Sequence, residues 1–165
     1  MKTPVIVATV LASIVIGQSE VLKFRLSPPG TSPAVGLSPA NEVPVVTNST
    51  GSGGEVMTGI TFETTNQTMN LAVGYGSAAG FTDLTGAATV MHIHGPASVT
   101  QSASVLINLG SLHMPAGDPT KGGVIFGSVV YPTSEVSNLL AGLNYLNIHT
   151  ATNPGGEIRG QLKGN

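Results

Sequence analysis

The sequence predicts an all-β protein: an antiparallel, Greek-key-like β-sandwich of about eight or nine strands with one short helix. Charged residues make up only 8% of the 165 residues, whereas an average soluble domain has about 25% and a helical bundle needs many Lys, Glu and Arg on its exposed faces. Short runs that alternate apolar and polar side chains are separated by turn-forming segments, in a chain with 22 glycines and 11 prolines. Both observations favour strands joined by turns.

Eight runs are predicted to be strands, and each is bounded by Gly, Pro, Asn or Ser. They are residues 21–26, 55–64, 69–75, 87–94, 105–109, 123–131, 143–149 and 157–163. In the second run Val56, Thr58, Ile60 and Phe62 occupy alternate positions and are expected to share one face. The helix is predicted at 135–141, where Gly142 ends it.

The composition excludes several functional classes. The chain has no cysteine, so it can form no disulfide, thiolate metal site or cysteine nucleophile. A net charge of −2 gives no basic surface for nucleic acid. The motifs of a serine-hydrolase elbow, a phosphate loop and a zinc-protease helix are all missing, so no catalytic activity is expected.

The N-terminal segment is typical of an export signal. Lys2 is followed by an apolar run over 4–17 and then by small and polar residues, which is the secretory pattern. The run is shorter than the roughly 20 residues of a membrane span. We therefore expect a secreted protein, extracellular or periplasmic, with no stable membrane span once mature. The alternative is that the segment is retained as a strand or anchor and serves assembly at a cell surface.

Three histidines could form a metal site. His92 and His94 are two residues apart on a predicted strand, so they project to the same face. His149 ends another strand, and if the two strands are neighbours the three imidazoles converge. Such a cluster can bind copper or zinc without thiolate, with Asn147 or backbone carbonyls holding the other ring nitrogens. The alternative is that these histidines only make structural hydrogen bonds across the strands.

A constrained turn is predicted before the last strand, at Asn153, Pro154, Gly155, Gly156 and Glu157. Proline fixes its own φ, and one of the two glycines can adopt a positive φ that other residues resist. Glu157 and Arg159 are expected to share a face of that strand. They would form an ion pair there, or the carboxylate would orient an imidazole.

Three segments resemble the CHRD domain, a module named after chordin. Residues 37–44 read LSPANEVP, residues 87–97 read AATVMHIHGPA, and residues 142–162 contain YLNIHT followed by NPGGEIRGQL. The resemblance extends over about 37–162. It implies a CHRD domain over 37–165, which follows the signal peptide predicted at 1–19 and an N-terminal strand with a Pro-rich linker at 20–36.

The resemblance implies an extracellular β-sandwich, which in chordin-type proteins is one module of a larger binding protein. A structural or binding module without catalytic activity is therefore the first functional prediction, with an extracellular protein or surface component as partner. The alternative is a histidine-based copper or zinc protein. The His-x-His strand is similar to the copper strand of Cu/Zn superoxide dismutase, so this alternative extends to redox activity of that kind.

Overall fold

The described residues, 19–165 of a computed structural model, form nine antiparallel strands and one short α-helix. The strands make one hydrogen-bonded sheet that curls into a sandwich-like shape. The all-β prediction is confirmed. Residues 1–18 of the predicted signal segment lie outside the described residues. Within 19–165, no helix is both long enough and apolar enough to cross a membrane.

The elements follow the predicted runs closely. In chain order they are β1 (Val21–Leu26), β2 (Gly53–Glu63), β3 (Thr68–Tyr75), β4 (Ala88–His94), β5 (Val105–Asn108), β6 (His113–Pro115), β7 (Gly123–Val130), α1 (Val136–Leu140), β8 (Tyr145–Thr150) and β9 (Ile158–Gly164). Strand β6 was not predicted, because its three residues lie in a stretch rich in Gly and Pro and show no alternation.

The strand order in the sheet is β5-β4-β8-β9-β1-β2-β3-β7-β6. Strand β1 pairs with both β2 and β9, so it joins the half built from β5, β4, β8 and β9 to the half built from β2, β3, β7 and β6. Residues from both halves contribute to one hydrophobic core. The curled sheet therefore encloses its apolar side chains between the two halves.

A β-bulge corrects one sequence expectation. The ladder of β2 with β3 shifts register between Glu55 and Ile60, where Met57 and Gly59 have φ angles of 48° and 71°. Ile60 and Phe62 are buried in the core, but Val56 contacts the outer side of the sheet beside Gly74. The prediction that one face carries the whole run is wrong at Val56, because a bulge reverses the alternation.

Candidate metal centre

The outer face of the sheet is buried along β8, at Arg159 and Gln161 of β9, and at His94 at the end of β4. Met91 and Ile93 of β4 point into the core, so the alternation directs His92 and His94 to the outer side. All six residues of β8 are buried. The loops 37–46 and 95–104 lie over this face, and the Ser102 hydroxyl donates a hydrogen bond to the Val43 carbonyl between them.

The structure brings the three predicted histidines together. Strand β4 pairs with β8, and His92 and His94 lie opposite Asn147 and Tyr145 in the register. One ring nitrogen from each of His92, His94 and His149 lies within 4.8 Å of the others, and His92 Nδ1 is 3.4 Å from His149 Nε2. The fourth histidine of the chain, His113, is elsewhere and contacts the Tyr75 hydroxyl.

Backbone carbonyls fix the tautomers of the two buried histidines. His94 Nδ1 is 3.0 Å from the Ala103 carbonyl oxygen, and His149 Nδ1 is 2.9 Å from that of Pro154. A carbonyl oxygen only accepts, so each Nδ1 donates and the neutral ring keeps a lone pair on Nε2. His94 Nε2 is buried and has no hydrogen-bond partner among the described residues.

Asn147 lies on the side of the cluster where the ring nitrogens of the histidines face one another. Its Oδ1 is 2.9 Å from His149 Nε2, the nitrogen that faces His92. We expected Asn147 or carbonyls to hold the ring nitrogens that point away from a metal. The carbonyls of Ala103 and Pro154 do so, and Asn147 does not.

The environment favours the neutral form of His92 and His94. Burial lowers the pKa of His92, and the neighbouring His149 and His94 lower it further. Burial is also the largest cause that lowers the pKa of His94. Neutral imidazoles are the form that binds metals.

An aromatic and cationic stack supports one side of the cluster. The His94 ring is stacked on Tyr145 with an interplanar angle of 3° and a centroid separation of 4.9 Å. The Arg159 guanidinium carbon lies 3.5 Å from the Tyr145 ring centroid. Since β8 lies between β4 and β9, the Tyr145 ring is sandwiched between His94 and Arg159, which restricts the orientation of the imidazole.

The expected ion pair between Glu157 and Arg159 is not formed. Arg159 donates instead to the backbone carbonyls of Gln101 and Ser98 and to the side-chain oxygen of Gln161. The single ion pair among residues 19–165 joins Lys121 to Asp83. Arg159 therefore ties the loop 95–104 to β9, and the expected role of Glu157 beside an imidazole is not seen either.

Glu157 accepts five hydrogen bonds. Its Oε1 accepts from the Ser49 hydroxyl at 2.6 Å and the Thr85 backbone at 2.7 Å. Its Oε2 accepts from Thr85, Thr150 and Asn153 side chains. Burial raises its pKa, but the hydrogen bonds outweigh burial and hold the pKa of Glu157 below its ordinary value.

The predicted turn holds His149 in place. Gly156 has a φ of +126°, and a Cβ there would approach Glu42 Oε1 to 2.6 Å and Asn147 Nδ2 to 2.7 Å. Gly155 has no such neighbours and no positive φ. Pro154 supplies the carbonyl for His149 Nδ1. The turn thus serves the site directly, through one glycine that must stay small.

Glu42 is a residue whose place at the site we did not predict. It is buried, and its Oε1 has no hydrogen-bond partner among the described residues. Burial raises the pKa of Glu42 to about 7, although Arg159 and Asn147 lower it in part. The only sequence signal was its position in the segment LSPANEVP, because a loop gives no periodicity from which to infer its neighbours.

A family model for the CHRD domain matches residues 33–162. The chain belongs to the CHRD family. No match to this chain was found among curated proteins or among solved structures. The CHRD match includes the three histidines of the cluster, Asn147 and Glu42, so the polar outer face lies wholly within the CHRD domain.

Proposed function

We propose that this protein is an exported CHRD binding module that holds one copper or zinc ion through His92, His94 and His149. The observation that supports this most is the arrangement of the ring nitrogens. Both buried imidazoles donate from Nδ1 to a backbone carbonyl and direct Nε2 toward the other histidines. This is how proteins orient histidine ligands.

The donor set fits the proposed ions. A zinc–nitrogen bond is about 2.0–2.1 Å, so two ligands of one ion lie at most about 4.2 Å apart. The His92–His149 separation of 3.4 Å fits this limit, and the spread of 4.8 Å over the cluster needs a side-chain movement of less than 1 Å. Imidazole ligands suit both zinc and copper.

The proposal concerns binding and not catalysis. The cluster of described residues contains three histidines and no carboxylate, so nothing in it corresponds to the acidic zinc ligand of a superoxide dismutase. We propose that the module binds an extracellular protein or surface component and not nucleic acid, which the net charge of −2 supports. We assign export to the proposed signal segment, residues 1–19. It precedes the strand and linker at 20–36 and the CHRD domain at 37–165.

The metal site is tested by calorimetric titration of the purified protein with Cu²⁺ and Zn²⁺. We expect one ion per chain for the wild type and for His113→Ala, and loss of that binding for His92→Ala and His149→Ala. Equal binding by all four proteins, or none by the wild type, contradicts the proposal. The matched control is His113→Ala, because it removes an imidazole that lies outside the cluster.

Export is tested separately by mass spectrometry of the protein collected outside the cytoplasm. We expect a mature N-terminus near residues 18–21. An exported protein that keeps Met1 would instead support the retained-segment alternative, in which the apolar run serves assembly at the cell surface.

A further inference from the structure

We propose that the side-chain amide oxygen of Asn147 is the fourth ligand of the metal, completing a closed site of three imidazole nitrogens and one oxygen. This inference rests on the proposed metal site and adds to it. It assigns a ligand type that the sequence did not suggest. It also predicts a coordination shell supplied entirely by the protein.

The position of Asn147 supports this assignment. Asn147 pairs with His92 across the β4–β8 ladder and precedes His149 by two residues, so all three share the outer face. Its Oδ1 is 2.9 Å from His149 Nε2, and the same amide lies beside His94. The oxygen therefore belongs to the cluster of ligand nitrogens.

The surroundings of Asn147 also determine how its amide is oriented. Its Nδ2 and Glu42 Oε1 both approach the point where a Gly156 side chain would begin, at 2.7 and 2.6 Å. The amide nitrogen is thus on the side of the Glu42 carboxyl group, although Glu42 Oε1 accepts no hydrogen bond among the described residues.

The pairing of Asn147 with His149 leaves two acceptors facing each other. His149 donates from Nδ1 to Pro154, so its neutral ring has only a lone pair at Nε2. The Asn147 oxygen, 2.9 Å away, also has only lone pairs to offer. A cation bound to both atoms turns this repulsion into attraction. The alternative is a rotated amide whose nitrogen donates to His149 Nε2, in which case Asn147→Leu should leave metal binding unchanged.

A closed shell has consequences for the chemistry. Four protein ligands are typical of structural zinc sites, whereas catalytic sites keep one position for water or substrate. An amide oxygen is a harder ligand than a thiolate or thioether, so the set favours Zn²⁺ or Cu²⁺ over Cu⁺. Glu42 acts here as a positioning residue, because its carboxyl group lies on the nitrogen side of the Asn147 amide and leaves Oδ1 on the side of the histidines.

Cobalt substitution tests the coordination number directly. Four-coordinate Co²⁺ absorbs visible light much more strongly than five- or six-coordinate Co²⁺. We expect an intense spectrum for the wild type and for Asn147→Asp, which keeps an oxygen at the same place. Asn147→Leu should give a shifted spectrum, because water replaces the amide oxygen in the fourth position, and at least about tenfold weaker Zn²⁺ binding. The control is Asn70→Leu, an exposed strand asparagine of β3, which should change neither.

The outcomes separate this inference from the proposed function. If the wild type binds neither Co²⁺ nor Zn²⁺, the metal site itself is wrong. If Asn147→Leu binds with an unchanged spectrum and affinity, the metal site stands and Asn147 is not a ligand. If Asn147→Leu does not fold, as judged by circular dichroism, Asn147→Asp decides. A weak spectrum for Asn147→Asp overturns the inference, and an intense one supports it.

Discussion

Strands β7 and β8 both lie inside the sheet between two neighbours, but they differ on their outer sides. In β7 the alternate residues Phe126, Ser128 and Val130 are exposed. In β8 all six residues are buried. The difference comes from the loops 37–46 and 95–104, which lie over the outer face of β8 and leave that of β7 open to solvent.

This difference determines where polar side chains on the two strands find their hydrogen-bond partners. A polar side chain on β7 can hydrogen-bond to water, whereas one on β8 must find partners within the protein, because burying an unpaired polar group is costly. The outer face of β8 under these loops, here called the covered face, therefore carries a dense polar network. Two of its atoms, His94 Nε2 and Glu42 Oε1, have no hydrogen-bond partner within residues 19–165. They mark the place where a ligand is expected.

Two buried carboxylates of the covered face differ in how well they are hydrogen-bonded. Glu157 is fully buried and accepts five hydrogen bonds, so it stays ionised at neutral pH. Glu42 is nearly as buried but its Oε1 has no partner, and its pKa is raised to about 7. The first stabilises the covered face, and the second destabilises it above its pKa.

The largest effect is expected for Glu157→Ala. It removes the acceptor of the donors of Ser49, Thr85 and Thr150, of which only Thr150 is a buried residue, and a hydrogen bond to a charged group contributes about 1.5–3 kcal/mol. We expect the free energy of unfolding to fall by at least about 3 kcal/mol, measured by urea denaturation. Ser128→Ala on the exposed face of β7 is the control and should change it by less than about 0.5 kcal/mol. A similar loss for both would contradict the contrast between the two faces.

Glu42→Gln should stabilise the metal-free protein at high pH. Because the pKa of Glu42 rises from 4.5 to about 7 on folding, its contribution is fully present below pH 4.5 and is lost as the pH rises through 7. At about 1.4 kcal/mol for each pH unit, the gain at pH 8 is at most about 3 kcal/mol. Thermal unfolding at pH 4 and pH 8 checks this. If the stability difference between the variant and the wild type is the same at pH 4 and pH 8, the prediction is contradicted.

Gly156→Val and Gly155→Val form a matched pair in one turn. Gly156 has a positive φ, and a Cβ there would meet Glu42 and Asn147, whereas Gly155 has open space. We expect a loss of about 1–3 kcal/mol for Gly156→Val from backbone strain and little change for Gly155→Val. Equal melting temperatures for the two variants would show that the turn is not constrained by the covered face.

The sequence predicted the fold better than it predicted the site. Alternation located eight of the strands and placed His92 and His94 on one face, since both follow from a period of two residues. The pairing of β4 with β8 could only be assumed, because about 50 residues separate them. Gly59 was the one visible sign of the bulge in β2. The position of Glu42 beside Gly156 is set by a loop. A loop has no residue periodicity from which its path could be predicted.

The smallest effect concerns the pH dependence of the metal-free cluster. Burial lowers the pKa of both His92 and His94, so the unfolded chain takes up protons at a higher pH than the folded protein does. Their contribution to stability is present above the unfolded pKa of about 6.5 and is lost as the pH falls toward the lower folded values. We expect His92→Gln to reduce this decline between pH 6.5 and pH 5 when unfolding is measured with a chelator present. His113→Gln is an informative comparison, because burial also lowers the pKa of His113 at a place distant from the covered face. If only His113→Gln reduces the decline, the acid sensitivity arises outside the covered face and the cluster does not contribute to it.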